Sequence, residues 1–361
     1  MQRDVQEKLI LQLKRYIDTS ETTMVDSERL NPASEYWDPA RWAQERSELF
    51  PQHPIVVGHA SEIPDAGSHF VDELSGTPIL IMRLPSGRLW GLVPDGESRT
   101  MSLSSDEIGE LASTRSAEHQ TAPAGFRTVE VEERHGLIWV LLGAREPIDV
   151  AGFLGAELDD ELTSFALGDY ALERTHFFTA EKLNWKSVID GFLENYHVRY
   201  LHGETLAKFL RSNVHVYDAF GPHARLAVIK TTFDRVKDLP VNEYDPLKHM
   251  SIVYQIFPNT IIGWVGDHFE TWTSFPDPVS VSRSNTRFTM LTPVSRTWDH
   301  KFWDRSMKTV LDVIPTEDFE MSRRMQRGLP AEAQTHQVFG RNEGALQHFH
   351  IELEKVLGPA Q

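Results

Sequence analysis

Two histidines, His197 and His202, have the residue type and spacing to hold a metal ion. A ferrous ion that reacts with oxygen is commonly held by two histidines and one carboxylate, which leave other coordination positions open. The spacing alone is weak evidence, because 16 histidines in 361 residues give about 0.7 such pairs by chance. A straight helix would turn the two rings roughly 140° apart, so a shared metal requires the helix to end or bend near residues 199–202.

A carboxylate, Glu194, precedes His197 by one helical turn and is predicted to share its face. It can accept the ring proton of a ligand histidine, fix the tautomer of that histidine and connect it to an external electron donor. The alternative is an ordinary solvated glutamate on a helix. Glu194 is therefore a candidate catalytic residue, and this assignment depends on whether the neighbouring histidines bind a metal.

The composition excludes several classes of function. The chain has no cysteine, which excludes disulfides, thiolate zinc sites, cysteine nucleophiles and any iron–sulfur cluster held by its own thiolates. Its 36 basic and 53 acidic side chains give a net charge of -17, so phosphate backbones and anionic membranes are repelled. Charged residues interrupt Met1–Thr19 and no later apolar run is long enough to span a bilayer. We expect a soluble cytoplasmic protein without nucleic-acid or membrane partners.

The hydrophobic pattern predicts an α+β protein in three parts. Residues 1–50 contain two amphipathic helical stretches, the second over Pro39–Phe50, which are predicted to pack on the larger C-terminal part. Residues 51–150 have the short β-type runs of a small β domain, with one helix predicted over Ser104–Ser116. Residues 151–361 alternate strands with longer helices, which predicts an antiparallel sheet with helices on one face.

Individual elements follow from the same patterns. Strands are predicted over Pro78–Leu84, Leu89–Val93, Arg127–Val131, Leu137–Leu142, Ile252–Val265, Thr271–Phe275 and Arg287–Thr292, and helices over Glu181–His202, Lys301–Arg327 and Glu343–Leu357.

Three segments together resemble a known family. The run Asn184-Trp185-Lys186, followed by Asp190–His197 and then His202, resembles the iron-binding helix of Rieske-type non-haem iron oxygenase α subunits, which hydroxylate rings or remove methyl groups. Val131–Val140 resembles the last strands of that family's Rieske domain, and Tyr254–Asn259 resembles a strand of its catalytic domain. The similarity extends from about Asn31 to Leu357.

The resemblance implies roles for further residues. The third iron ligand of the family is an aspartate that precedes a Gln-x-Gly element, here Gln326-Arg327-Gly328, which implies Asp318 as the ligand and Glu317 as the adjacent alternative. Taken alone, both acids also suit the first turn of a helix. The resemblance further implies a helix-grip catalytic domain, a bridging role for Glu194 and a catalytic or supporting role for Asn184.

The resemblance fails at the Rieske cluster. The family holds two irons through a Cys-x-His and a Cys-x2-His element, and neither exists here. The first should follow the strand Leu89–Val93, where the chain reads Pro94–Thr100, and His119 is the only histidine between there and Arg127. One histidine without a thiolate cannot hold such a cluster. We expect a β scaffold without a cluster, with His119 as an ordinary loop residue.

These observations lead to one functional hypothesis. The chain binds one Fe2+ and hydroxylates or demethylates a small organic substrate with O2. Its electrons come from a cluster-bearing α-type subunit, or from a Rieske ferredoxin and its reductase. The resemblance implies a trimer or a mixed hexamer.

Three alternatives stay open: a non-catalytic companion subunit of such an assembly, a small-molecule binding protein without metal, and a redox-neutral metalloenzyme that polarises water. The substrate is not identified by the sequence. The candidate substrate-binding residues are Phe192, Leu206, Phe209, Ile261 and Trp264.

Overall fold

The computed structural model describes residues 1–96, 101, 103–112, 121–143, 147–296, 299–331 and 333–360. Within these ranges the chain forms a six-stranded sheet, a seven-stranded sheet and a two-stranded ribbon, with helices around them. His119 and most of Pro94–Thr100 lie outside the described residues, so the structure does not bear on the predictions made for them.

The N-terminal part consists of helices and one short strand. Its elements are α1 (Arg3–Thr19), β1 (Arg29–Pro32), α2 (Pro39–Gln44) and α3 (Phe50–Gln52). Asp38 caps α2, because its carboxylate accepts hydrogen bonds from the backbone N–H groups of Ala40 and Arg41. A π-helical turn over Glu45–Leu49 connects α2 to α3, so the predicted stretch Pro39–Phe50 is helical throughout.

The small β domain contains the six-stranded sheet. Its strands are β2 (Ile55–His59), β3 (His69–Asp72), β4 (Ile79–Arg83), β5 (Leu89–Pro94), β6 (Phe126–Arg134) and β7 (Leu137–Leu141), in the order β2-β7-β6-β5-β4-β3. Helix α4 (Ser105–Ala112) packs Ile108 against Leu80 and Trp90 of this sheet. Ser104 and Glu107 form the predicted reciprocal cap at its start.

The larger sheet is antiparallel throughout. After α5 (Val150–Leu154) and α6 (Ala156–Thr163) come β8 (Tyr170–Glu181), α7 (Trp185–Asp190), α8 (His197–Leu201), β9 (Leu210–Phe220), β10 (His223–Lys230), β11 (Met250–Ile256), β12 (Thr260–Trp264), β13 (Phe269–Pro276) and β14 (Arg283–Pro293). The strand order is β8-β14-β13-β12-β11-β10-β9. The chain ends with α9 (His300–Thr316), α10 (Asp318–Gly328), β15 (His336–Phe339), which pairs with β1, and α11 (Gly344–Leu357).

The seven-stranded sheet is covered on both faces. Side chains alternate between faces along a strand, so Ile261 and Trp272 join Trp185 and Phe349 in one hydrophobic cluster, which α7 and α11 cover. The other face packs Tyr254 and its neighbours against α1 and α6. The α+β class is confirmed, whereas the expectation of helices on one face is wrong, because α1 and α6 also bury apolar stripes against this sheet.

Two predicted helices are each interrupted. The stretch Glu181–His202 forms α7 and α8 with a break between them, and Lys301–Arg327 breaks at Glu317. Pro315 in the last turn of α9 lacks a backbone N–H, which weakens the helix just before the break. Both breaks lie next to candidate metal ligands.

The division into three parts stays a prediction. The two larger sheets use separate stretches, 55–141 and 170–293, but one hydrophobic cluster runs through both of them. Among the described residues, no helix combines the length and the apolar character that a membrane crossing requires.

Candidate metal centre

Three predicted ligands converge at one point. One nitrogen each from His197 and His202 and one oxygen from Asp318 all lie within 4.8 Å of one another. Asp318 Oδ1 is 3.1 Å from His202 Nε2 and 3.7 Å from His197 Nε2. Two histidines and one carboxylate are the ligand set of mononuclear ferrous sites that react with oxygen.

The end of α8 allows the two histidines to meet. His197 is the first residue of α8, and the helix stops at Leu201, so His202 has left helical geometry at φ -101° and ψ 24°. The two ring centroids are therefore 5.1 Å apart, with 69° between the ring planes. The helix ends within 199–202, as a shared metal requires.

Glu194 holds the ring of His197. A carboxylate only accepts hydrogen bonds, so His197 Nδ1 donates its proton to Glu194 Oε1, which leaves Nε2, on the side of Asp318, as the nitrogen of the neutral ring that can bind a metal. The other oxygen, Oε2, accepts the backbone N–H of His197 at 3.2 Å. One glutamate thus fixes both the tautomer of the histidine and the start of α8.

Glu317 orients the ring of His202 in the same way, through a hydrogen bond to Nδ1. His202 Nδ1 lies 2.6 Å from Glu317 Oε2, on the side of the ring opposite to the Nε2 that faces Asp318. Thr205 donates its hydroxyl to the same glutamate oxygen at 2.8 Å. The structure thus brings Asp318 into the ligand set and places the adjacent alternative, Glu317, behind His202. Sequence reasoning missed Thr205, since a threonine three residues after a histidine is no signal by itself.

The charges at this point suit a cation. Burial alone would lower the pKa of His202, but its hydrogen bonds with Asp318 and Glu317 and their negative charges raise that pKa above its ordinary value. Asp318 Oδ2 is buried and has no hydrogen-bond partner among the described residues. A buried carboxylate oxygen without a partner is costly, and coordination to a metal would remove that cost. The residues present therefore fit an iron ion.

A hydrogen-bond network connects the start of α7 with α10, the helix that begins at the candidate ligand Asp318. Asn184 caps α7 through Lys186 N–H and donates its amide to the backbone oxygen of Tyr36 at 3.1 Å. Gln326, at the other end of the helix that Asp318 begins, donates to the same Tyr36 oxygen at 2.7 Å. These bonds give Asn184 a structural role, and its part in the reaction stays a prediction. Sequence reasoning missed Tyr36, which is far away along the chain.

The Trp185-Lys186 pair anchors α7 in a buried site. Lys186 Nζ forms an ion pair with Glu45, and Trp185 Nε1 donates to Glu45 at 2.8 Å. The side chains of Lys186 and Glu45 are completely buried. The family-like motif therefore fixes α7, the helix that precedes the histidine-bearing α8, to the N-terminal segment. Glu45 was not identified from the sequence, because an acidic residue on an amphipathic helix normally faces solvent.

The five candidate substrate-binding residues do not lie together. Phe192 and Ile261 belong to the hydrophobic cluster under α7. Leu206 begins the turn that follows His202, and Phe209, just beyond it, is 60% exposed. Trp264 packs against Phe269 on the opposite face of the sheet, because it is three positions after Ile261 along β12.

An aromatic cluster connects the sheet with the start of α10, where the candidate ligand Asp318 lies. It consists of Phe178, Phe192, Trp272, Phe288 and Phe319. Trp272 lies 5.3 Å from Phe192 and 4.6 Å from Phe288, measured between ring centroids. Phe319 directly follows the ligand Asp318 in the chain and packs on Phe178 at 5.4 Å. Sequence reasoning placed only Phe192 near the site, because the strand residues meet it through packing between distant segments.

The comparisons with known proteins agree with this geometry. Residues 169–358 match the model of the ring hydroxylating alpha subunit (catalytic domain). The putrescine 2-hydroxylase of Bordetella bronchiseptica is 23% identical over 91% of this chain and 85% of its own length. The glycine betaine monooxygenase oxygenase subunit of Chromohalobacter salexigens is 26% identical over 48% of this chain and 43% of its own.

Solved structures show the same fold over nearly the whole chain. The quaternary ammonium Rieske monooxygenase CntA has a TM-score of 0.70 at 16% identity, covering 91% of this chain and 95% of its own. Naphthalene 1,2-dioxygenase from Rhodococcus sp. has a TM-score of 0.68 at 13% identity, covering 99% of both chains. The chain has a His/His/Asp site, but it has no cysteine that could ligate a Rieske cluster. Because the family model matches more than half of its length, this chain belongs to the ring-hydroxylating α subunit family of Rieske-type non-haem iron oxygenases.

Proposed function

We propose that this protein is an oxygenase subunit that holds one Fe2+ and hydroxylates or demethylates a small organic substrate with electrons from a partner. The observation that carries the proposal is the convergence of the Nε2 atoms of His197 and His202 on Asp318 Oδ1, beside the buried Oδ2, which has no hydrogen-bond partner among the described residues. When bound, the iron supplies oxygen activation at the coordination positions that three ligands leave open. Glu194 and Glu317 keep both histidines oriented with Nε2 toward that ion.

The electrons must come from outside, because the chain has no cysteine to ligate a cluster. Glu194 is the proposed entry point, since it touches a ligand histidine and its side chain is 13% exposed. Next to it, Tyr196 and Tyr200 are exposed and border an open groove of about 240 Å³. A related quaternary ammonium Rieske monooxygenase is described with inter-subunit electron transfer. We therefore propose a cluster-bearing α-type subunit, in a trimer or mixed hexamer, as the donor, with a Rieske ferredoxin and reductase as the second possibility.

The substrate class we propose is an aliphatic compound with a cationic nitrogen. The relatives named above act on putrescine and glycine betaine, and CntA is a quaternary ammonium monooxygenase. The aromatic cluster supports this class, because aromatic faces attract cations. The indole nitrogen of Trp272 also donates to Glu270 at 3.4 Å, which places a carboxylate beside the cluster.

The experiment compares the chain alone with the chain plus a cluster-bearing partner. With reductase and NADH alone, we expect iron binding without coupled product formation. With the correct partner, oxygen consumption should match product formed from a cationic amine, and indole should be a poor substrate. Coupled turnover by the isolated chain would refute the proposal that a partner protein supplies the electrons.

The absence of cluster ligands also favours a second candidate, a non-catalytic companion subunit. In that case His197→Ala would leave the activity of a reconstituted complex unchanged. In an oxygenase the same variant should abolish the activity contributed by this chain.

A further inference from the structure

Two consecutive acids, Glu317 and Asp318, lie against the ring of His202. Asp318 Oδ1 is 3.1 Å from Nε2, and Glu317 Oε2 is 2.6 Å from Nδ1. Both carboxylates carry the kind of oxygen that binds a divalent metal, and the side chain of Glu317 is 24% exposed and longer by one methylene group. The fold must therefore hold Glu317 on the far side of the ring if Asp318 alone is to serve as the acidic ligand.

The hydroxyl of Thr205 supplies such a restraint. It donates to Glu317 Oε2 at 2.8 Å, and the same oxygen accepts from His202 Nδ1. The hydroxyl also lies 3.4 Å from the backbone oxygen of His202, which makes the contact with the carboxylate the shorter of the two. Hydrogen bonds to a charged acceptor are stronger than those between neutral groups, so two of them on one oxygen fix the direction of the carboxylate.

The backbone keeps Thr205 in place for this contact. Its N–H donates to the backbone oxygen of His202 at 2.9 Å, which closes the turn after α8. Threonine is branched at Cβ, so its side chain has few alternative orientations. Thr205 lies in the segment of His202, and Glu317 lies in the segment of Asp318. The hydroxyl therefore connects the two segments that carry metal ligands.

We infer that Thr205 is a positioning residue, which holds Glu317 behind His202 and so leaves Asp318 as the acid that binds the metal. The inference rests on the proposed function, because it concerns the same iron site. Thr205 acts through Glu317. Without the hydroxyl, Glu317 keeps a single hydrogen bond to the ring, so the ring is held less firmly and the carboxylate is free to turn toward the cation.

The test uses matched substitutions of threonine. Thr205→Val removes the hydroxyl at nearly the same shape, and Thr205→Ser keeps it. Thr231→Val is the control, because the hydroxyl of Thr231 donates to the backbone oxygen of Lys208 at 2.9 Å. Fe2+ affinity is measured by anaerobic competition with a chelator. The visible absorption spectrum of the Co2+-loaded protein reports the number and geometry of the ligands, and thermal unfolding without metal checks the fold. Thr205→Ala is the second hydroxyl-free variant if Thr205→Val does not fold.

Thr205→Val should bind Fe2+ about tenfold more weakly, because the ligand histidine is less firmly oriented, and its Co2+ spectrum should differ from that of the wild type. Thr205→Ser should restore both properties, and Thr231→Val should change neither. Combining Thr205→Val with Glu317→Gln should weaken Fe2+ binding no more than Glu317→Gln alone, because both substitutions act on one carboxylate.

An unchanged affinity and spectrum in Thr205→Val would overturn the inference. A loss that Thr205→Ser does not restore would also overturn it, and so would additive losses in the double variant, since the hydroxyl would then act independently of Glu317. A wild type that binds no Fe2+ would refute the proposed function together with this inference. A wild type that binds Fe2+ no more tightly than Thr205→Val would refute the inference alone.

Discussion

The carboxylate of Glu317 lies 2.6 Å from His202 Nδ1, on the side of the ring that faces away from Asp318. Two consecutive acids therefore hold opposite edges of one imidazole. The break between α9 and α10 makes this possible, because consecutive residues of a continuous helix would point about 100° apart. The first acid orients the histidine and the second is available to the metal.

Glu317→Gln should weaken iron binding about tenfold, because a neutral amide orients the histidine less strongly and leaves it less basic. The measurement is iron affinity by competition with a chelator under anaerobic conditions. Glu320→Gln is the matched control, since Glu320 lies on the same helix and pairs with Arg324 at the surface. Equal affinity in Glu317→Gln and the control would contradict the orienting role.

The Glu194→Gln variant should retain iron, but its coupled turnover should fall roughly tenfold or more. The amide next to His197 carries no negative charge and, unlike a carboxylate, can donate as well as accept hydrogen bonds. Iron content and product formation with the cluster-bearing partner are measured on the same preparation. Glu204→Gln, whose side chain is 97% exposed, serves as the control. If turnover in Glu194→Gln stays at the wild-type rate, Glu194 is not the entry point for electrons.

Lys186 and Glu45 form a buried ion pair, so substitutions of the two residues should have strongly non-additive effects on the free energy of unfolding. Glu45→Leu alone should lower the free energy of unfolding by about 3 kcal/mol, because Lys186 then keeps, among the residues that the structure describes, only Glu35 as a close acidic partner, at 3.8 Å. The double variant Glu45→Leu, Lys186→Met should recover much of that loss, since no unpaired charge is buried. Urea unfolding of both single variants and the double variant measures the coupling, and simple additivity would rule out the pair as the cause.

Asp72 should make the protein less stable as the pH rises. Burial raises the pKa of Asp72 from 3.8 to about 7, against the opposing charge of Arg287. A raised carboxyl pKa means that the folded state prefers the protonated form. Its contribution to stability is therefore complete below about pH 4 and is lost as the pH rises through about 7.

Asp72→Asn should remove this dependence and stabilise the protein at pH 8 by a few kcal/mol, about 1.4 kcal/mol for each unit of pKa shift. Thermal unfolding of the wild type and the variant between pH 5 and pH 8 gives the comparison. Parallel curves for the two proteins would show that Asp72 is not the responsible group.

Local patterns predicted much of the site and of the fold. The histidine spacing indicated His197 and His202, the family resemblance implied Asp318 with Glu317 as the alternative, and four of the six strands of the small sheet overlap predicted β runs. The histidine spacing and the β runs are local patterns, which repeat with the period of the helix or strand.

The remaining features depend on contacts between distant segments. Tyr36 and Glu45 contact α7 and its cap only because packing brings distant segments together. The run Ile252–Val265 was predicted as one strand, but it forms two, β11 and β12, with a turn between them. Trp264 and Ile261 lie three positions apart in β12, so they point to opposite faces and cannot line one pocket together.

The most direct test of the iron site is metal analysis of the anaerobically reconstituted protein and of Asp318→Ala. The wild type is predicted to hold one tightly bound ferrous ion per chain, with His197, His202 and Asp318 as the protein ligands. The variant is predicted to lose that ion while keeping its fold, judged by circular dichroism. A wild type that holds no iron, or a variant that holds as much as the wild type, would contradict the account.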